Sequence, residues 1–499
     1  MRDVMLLLPE IGAVAAVLAV MLADLWLPKE RKGTLSALAI AASVVLLALT
    51  FVPPVAQGGH AFGGSFLVDG MALLLKRAFC VTAFLVFLMS REYVAELPRG
   101  QGEFYTLGLA ALTGMFLCAS VNDFMSLFVS LELVTVSFFV LAAFKRDSKL
   151  SVEAGLKLLV IGSISAALLL YGIAFVYGAT GTVMFGVLAS DGSTFENGLR
   201  TQAAAGTLVL SPELQLGLFL IFLGLGFKTS AVPLHVWVPD VYQGAPTPVT
   251  AYLSVGSKLA GFALMFRLLE VVSRAAPVAA ALTPFLALVA ALTLFYGNLG
   301  AIPQTNIKRL LGYSSIGQCG YVLLGIAAAS ELGLAWALFY LCAYVVTNLT
   351  VFAVIIWVAR ATKSHDIDDY SGLARTNPLL GTALTVGLLS LAGVPPFIGL
   401  VGKFFLVGSA FQKGDTLRWL VYVGLANVVI ALYYYLCVVK RIWMRDARTA
   451  VAPAVPLRMK VALAAGIVAL IVGGIAPQFL DRVTASAAAG AGIVGTTAR

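Results

Sequence analysis

The sequence predicts an all-α integral membrane protein of about 14 transmembrane helices, and three observations carry that prediction. Hydrophobic residues fill 60% of the 499 positions and charged residues only 11%, where an average soluble domain has roughly 25% charged residues. Apolar runs of about 20 residues, the length that crosses a hydrocarbon core of about 30 Å, recur along almost the whole chain. The remaining charges are unevenly placed, most of them in short polar connections and a few deep inside apolar runs. A soluble enzyme with a small membrane appendage is excluded.

In chain order the predicted helices fall at 4–27, 35–53, 70–92, 104–121, 122–144, 156–178, 214–232, 248–270, 277–298, 306–329, 331–358, 377–411, 417–440 and 459–477. The first has only Arg2 ahead of it and exceeds the apolar core of a cleaved signal. It also lacks a small-x-small cleavage site, so it reads as a helix. An even count puts both termini on one side. Nineteen of the 33 Lys and Arg residues then collect in the connections of one face and seven in those of the other. The positive-inside rule makes the richer face cytoplasmic and puts both termini outside. The net charge of +9 is absorbed by that topology and does not point to nucleic acid. Five Cys, none in a paired C-x-x-C spacing, and three scattered His encode no haem, zinc or iron–sulfur site. Any redox chemistry belongs to a partner.

Seven positive residues remain in or at the edges of spans: Lys76, Arg77, Lys157, Lys228, Lys258, Arg267 and Lys403. An ionised group at the bilayer centre costs at least roughly 2.5–3.5 kcal/mol, so such a group faces a bundle interior or water. Arg267 lies near a span end, and Lys76 and Arg77 read as residues that snorkel to a surface. Lys157 follows Glu153 by four residues, the spacing of an ion pair on one helix face, and the two mark a candidate cytoplasmic proton intake. Lys228, Lys258 and Lys403 are different, because each falls about halfway along its apolar run. Glu132 is the carboxylate counterpart, in the middle of 122–144. Buried lysines beside a carboxylate and beside one another are poised to gain and lose protons, which is the chemistry of a relay.

Two of the lysine-bearing helices also carry breakers. Pro233 follows Lys228 by five residues, and Pro395 and Pro396 precede Lys403 in a Gly-rich stretch. Proline frees backbone carbonyls that lipid does not satisfy. Two such helices, five spans apart and running in opposite directions, fit an inverted repeat of five helices each. The predicted organisation is three N-terminal helices in 1–100, a first repeat in 101–272, a second inverted repeat in 273–445, and a terminal helix with a tail in 446–499.

The stretch Gly226-Phe227-Lys228 through Pro233-Leu234-His235-Val236-Trp237-Val238-Pro239-Asp240-Val241-Tyr242, continuing as Gly244-Ala245-Pro246-Thr247-Pro248-Val249-Thr250 to Lys258, resembles the antiporter-like membrane subunits of respiratory complex I, the proton-pumping NADH:quinone oxidoreductase. Within that family the 226–258 pattern is closest to the N type. The long lateral helix of the L type is absent, and the likeness weakens before 70 and after 446. The resemblance implies a proton relay of Glu132, Lys228, Lys258 and Lys403, coupled to quinone reduction in neighbouring subunits. It implies no cofactor in this chain, with NADH, FMN, iron–sulfur clusters and quinone held by partner subunits, among them other antiporter-like and small membrane subunits. Many relatives have His where this chain has Gln318, so a relay between Lys258 and Lys403 crosses by water and hydrogen-bonding groups, since Gln does not titrate. A subunit of a multi-subunit cation/proton antiporter shares the architecture and is the alternative; the eighth-helix motif speaks against it.

Overall fold

A computed structural model describes residues 2–28, 31–97, 100–185, 194, 195, 199, 211–273, 275–447 and 455–490, and over these the chain is almost wholly helical. Lys29, Arg99, Arg200, Arg274, Arg448 and Arg499, which contribute to the charge sorting, lie outside the described residues.

Helices α1 (Leu8–Trp26) and α2 (Gly33–Leu49) match the first two apolar segments. A small antiparallel hairpin of β1 (Gly59–Ala61) and β2 (Phe66–Val68), which hydropathy does not signal, leads into α3 (Gly70–Ala95). Then follow α4 (Gln101–Ser120), α5 (Phe124–Ala142), α6 (Lys149–Thr180) and α7 (Pro212–Thr229). A short α8 (Trp237–Gly244) precedes α9 (Thr247–Tyr252), which passes through a π turn at Leu253–Ser257 into α10 (Lys258–Ser273). The second half holds α11 (Ala276–Ala301), α12 (Ile307–Ala327), α13 (Glu331–Thr362), α14 (Pro378–Ala392), α15 (Ile398–Gln412) and α16 (Asp415–Met444). Helix α17 (Leu457–Ile475) is followed by α18 (Gln478–Gly490), a polar-rich helix in the region expected to be tail.

Among the described residues ten helices are long and apolar enough to cross a membrane. Helices α2, α14 and α15 are shorter apolar helices, so the predicted 377–411 helix is two half-helices. The most apolar windows of α12 and α13 are 94% and 89% buried, against 22% for α1 and 17% for α17. This places α12 and α13 at the centre and α1 and α17 at the rim. Helix starts are fixed by side chains the sequence supplies. Asp69 accepts the Ala72 N–H and Asp123 the Ser126 N–H, both at 2.7 Å, while Ser148, Ser211, Ser330 and Asn377 cap α6, α7, α13 and α14. Such caps count for more where no water replaces them.

The breaks form as the breakers predict. Helix α7 stops at Ser230, which adopts a left-handed φ of 61°, ahead of Pro233. Helix α14 stops at Gly393, at φ 87°, and the chain passes Pro395 and Pro396 before α15 begins. Gly399 then rides directly on the end of α14: a Cβ there would lie 1.9 Å from the Ser390 carbonyl oxygen. Gly399→Ala should therefore force the break apart and cost about 1–3 kcal/mol. Thermal unfolding in detergent checks this, and an unchanged midpoint would mean the break yields freely.

Two sequence expectations are corrected. Lys76 does not snorkel: its side chain is fully buried and pairs with Glu10 of α1 at 2.7 Å. Lys308, sorted to a cytoplasmic connection, is buried in the first turn of α12, where its Nζ donates to the Ala245 carbonyl at 2.5 Å. Arg77 does run to a helix end, donating to Thr50 Oγ1 and the Thr50 carbonyl at 3.3 Å each. Arg267 keeps a structural role but by burial, in a two-pronged bond to Asp69 at 2.6 and 2.8 Å.

Candidate functional site

Each of the three midspan lysines sits at a helix irregularity. Lys228 occupies the last turn of α7, directly before the first break, and is 1% exposed. Trp237 Nε1 donates to the Phe227 carbonyl at 3.2 Å, and the Ala231 N–H to that of Gly226 at 2.8 Å, which close the frayed helix end around it. Lys228 Nζ has no hydrogen bond or ion pair among the described residues; it lies 5.4 Å from the Phe227 ring centroid.

Lys258 follows the π turn, a local widening that recurs at functional sites. Its Nζ donates to the Ser315 carbonyl of α12 at 3.0 Å and faces the Tyr242 ring of α8. The sequence placed Lys258 in a plain helix; the structure adds that α8, α10 and α12 meet at it.

Lys403 is held by the second break. Because α14 ends at Gly393, its last carbonyls lack helical partners, and Lys403 Nζ donates to Leu391 O at 2.7 Å and Ala392 O at 3.3 Å. The carbonyl end of a helix carries partial negative charge, which favours an ammonium there. The Tyr321 ring lies beneath, 4.5 Å from Nζ to the centroid. The proline break thus supplies the ligands of the lysine it precedes.

Glu132 differs from its expected geometry. It projects half-buried from the face of α5 that also shows Val129 and Val136, and no ion pair within 4.0 Å joins it to Lys228. The two interact over a longer range.

At the end of the bundle that carries Lys157, the expected pair with Glu153 is present at 2.6 Å. It belongs to a larger cluster that sequence reasoning missed: Asp240 of α8 accepts from Lys157 at 2.6 Å and from Arg309 of α12 at 2.5 Å, and Arg309 also donates to Gln243 at 3.1 Å. One carboxylate therefore bridges α6 and α12. The only sequence signal was an Asp in a Pro-flanked stretch beside the Lys228 motif. Nearby, His365 in the connection after α13 meets Thr247 Oγ1 at 3.0 Å. Burial, and after it the charges of Lys308 and Lys145, push its pKa down to about 3, so this imidazole stays neutral across the physiological range.

Multi-pass, helical and broken at two points beside buried lysines, the chain has the build of an antiporter-like membrane subunit. The family described as NADH:quinone oxidoreductase/Mrp antiporter, TM, matches residues 121–431. The chain belongs to this family and, within it, to the subunit N branch: the NADH-quinone oxidoreductase subunit N of Dehalococcoides mccartyi is 38% identical over 483 residues, covering 95% of this chain and 97% of the relative, and that of Heliobacterium modesticaldum is 39% identical over 475 residues, with the same coverages. A chain of respiratory complex I from Thermus thermophilus superposes with a TM-score of 0.79 at 29% identity, over 96% of this chain and all of that one. A chain of the Mrp complex from Dietzia, at 20% identity and a TM-score of 0.79 over 98% of this chain and 97% of that one, shares the fold.

Proposed function

We propose that the chain is the proton-translocating, non-redox N subunit of a proton-pumping NADH:quinone oxidoreductase in a bacterial inner membrane, assembled with the other membrane subunits of that complex and with both termini periplasmic. The observation that carries the reading is that Lys228, Lys258 and Lys403 are each 1–2% exposed in apolar helices, and none forms an ion pair among the described residues. Charges in that position are costly, and the backbone carbonyls that receive Lys258 and Lys403 are neutral acceptors, not counter-ions.

Protons enter near the Glu153, Lys157 and Asp240 cluster, load Lys228, pass to Lys258, and leave from Lys403 on the periplasmic side. Glu132 modulates Lys228 at a distance: a carboxylate favours the ammonium, and its neutralisation releases the proton forward. The two inverted repeats, 101–272 and 273–445, would each contribute one broken helix to this path. Energy arrives from quinone reduction in neighbouring subunits, which hold NADH, FMN, the clusters and the quinone.

Glu132→Gln tests the modulation. It should leave assembly intact and lower the protons moved per electron by at least about fivefold for this chain's path, the size of a typical coupling between sites. Proton uptake by membrane vesicles oxidising NADH reads this directly, and an unchanged ratio would remove Glu132 from the mechanism. Sodium-dependent flux without quinone reductase activity would favour the antiporter alternative.

A further inference from the structure

Between the carbonyl that holds Lys258 and the carbonyl that holds Lys403 lies a buried hydrogen-bonded cluster built around Gln318 of α12. Gln318 Nε2 donates to Leu391 O at 3.0 Å and to Tyr435 OH at 3.2 Å. Tyr340 OH donates to Gln318 Oε1, and Tyr435 OH is joined to Ser314 Oγ. Gln318, Tyr340, Tyr435 and Ser314 are all buried.

The amide has one workable orientation. A carbonyl only accepts, so the NH2 group must face Leu391 O, which turns Oε1 toward Tyr340 and obliges that hydroxyl to donate. Leu391 O then receives two donors, Gln318 Nε2 and Lys403 Nζ, which uses both of its lone pairs. On the other side, Ser314 adjoins Ser315, whose carbonyl receives Lys258 Nζ. Helices α12, α13, α14 and α16 thereby meet at one non-titrating side chain, and α15 joins them through the shared Leu391 carbonyl.

We propose that Gln318 is a positioning residue of the relay, an amide that fixes the Leu391 carbonyl on Lys403 and ties it, through Tyr435 and Ser314, to the turn of α12 that holds Lys258. This rests on the proton-relay reading above and deepens it. Without the amide, Leu391 O is free to turn away from Lys403, and the Tyr340 and Tyr435 hydroxyls lose a buried partner, which the low-dielectric interior makes costly. The geometry of Lys403 changes while its charge and burial do not.

The test uses the assembled complex in membrane vesicles, with protons per electron measured at pH 8. Gln318→Met, close in shape but without hydrogen bonds, should lower the ratio to that of Lys403→Ala in the same preparation. Gln318→His should restore it, because an imidazole of ordinary pKa is neutral at that pH and offers one donor and one acceptor. A full ratio in Gln318→Met beside a depressed one in Lys403→Ala overturns the positioning role and leaves the relay standing. Full ratios in both overturn the relay itself. Should Gln318→Met fail to assemble, Tyr340→Phe removes only the hydroxyl that anchors the amide's Oε1 side; a depressed ratio there supports the proposal and an unchanged one overturns it.

Discussion

Lys258→Arg should assemble and keep its positive charge, yet lose proton passage through this chain by about 100-fold or more, the contribution of a positioned acid–base group. Arginine essentially never deprotonates, so the variant separates charge from proton exchange. Lys258→Ala should lose passage to the same degree for the opposite reason, having no group to protonate. The structure makes the Arg variant a fair probe, because the Lys258 ammonium donates to a backbone carbonyl, Ser315 O, which a guanidinium also satisfies. Vesicle proton uptake per NADH oxidised reads both. Retained pumping in Lys258→Arg would mean that a fixed charge at this point suffices.

Asp69→Ala should be the most destabilising single substitution outside the relay, by about 3–5 kcal/mol, the cost of stranding one member of a buried ion pair. Asp69 does two things at once. It accepts two bonds from Arg267, at 2.6 and 2.8 Å, and it caps α3 through Ala72 N–H. Arg267, 2% exposed, has further contacts to the Ala119 carbonyl and to Glu270, so its charge persists when Asp69 is removed. The bond ties α3 to α10, and its loss should appear as a lower unfolding midpoint and a smaller yield of assembled complex. Adding Arg267→Met should recover part of the loss, because no charge is then left without its partner. If Asp69→Ala unfolds like the parent, Glu270 and Ala119 alone satisfy Arg267.

What could be read from the residues and what could not divide along physical lines. The apolar runs, the Gly and Pro breakers and the midspan lysines are local features, and α7 and α14 end, and α15 begins, where those breakers dictate. Partnership across the bundle is not local. Glu10 and Lys76 are both charges in apolar helices, but they lie far apart in the sequence and no local spacing pairs them, so Lys76 reads as a residue that snorkels. Lys308 stands at a helix start, where a sequence places it in water, yet the Ala245 turn covers it. Asp240 could be seen beside the Lys228 motif, while its bridge from Lys157 to Arg309 depends on α6 and α12 meeting at α8. In the other direction, a direct Glu132 to Lys228 contact is a natural guess from two isolated opposite charges, and helix rotation decides against it. Strands β1 and β2 are too short, and helix α18 too short and too weakly apolar, for hydropathy to announce them.

The central claim is that Lys228, Lys258 and Lys403 act in series, and series action has a signature that independent charges lack. Removing any one member of a chain of transfers should cost nearly as much as removing all, as residues that act as a unit are strongly non-additive. The direct measurement is protons translocated per electron in vesicles carrying Lys228→Ala, Lys258→Ala, Lys403→Ala or all three. The account predicts four equal losses, with assembly preserved in each. Full pumping in any single variant, or losses that accumulate from single to triple, would contradict it.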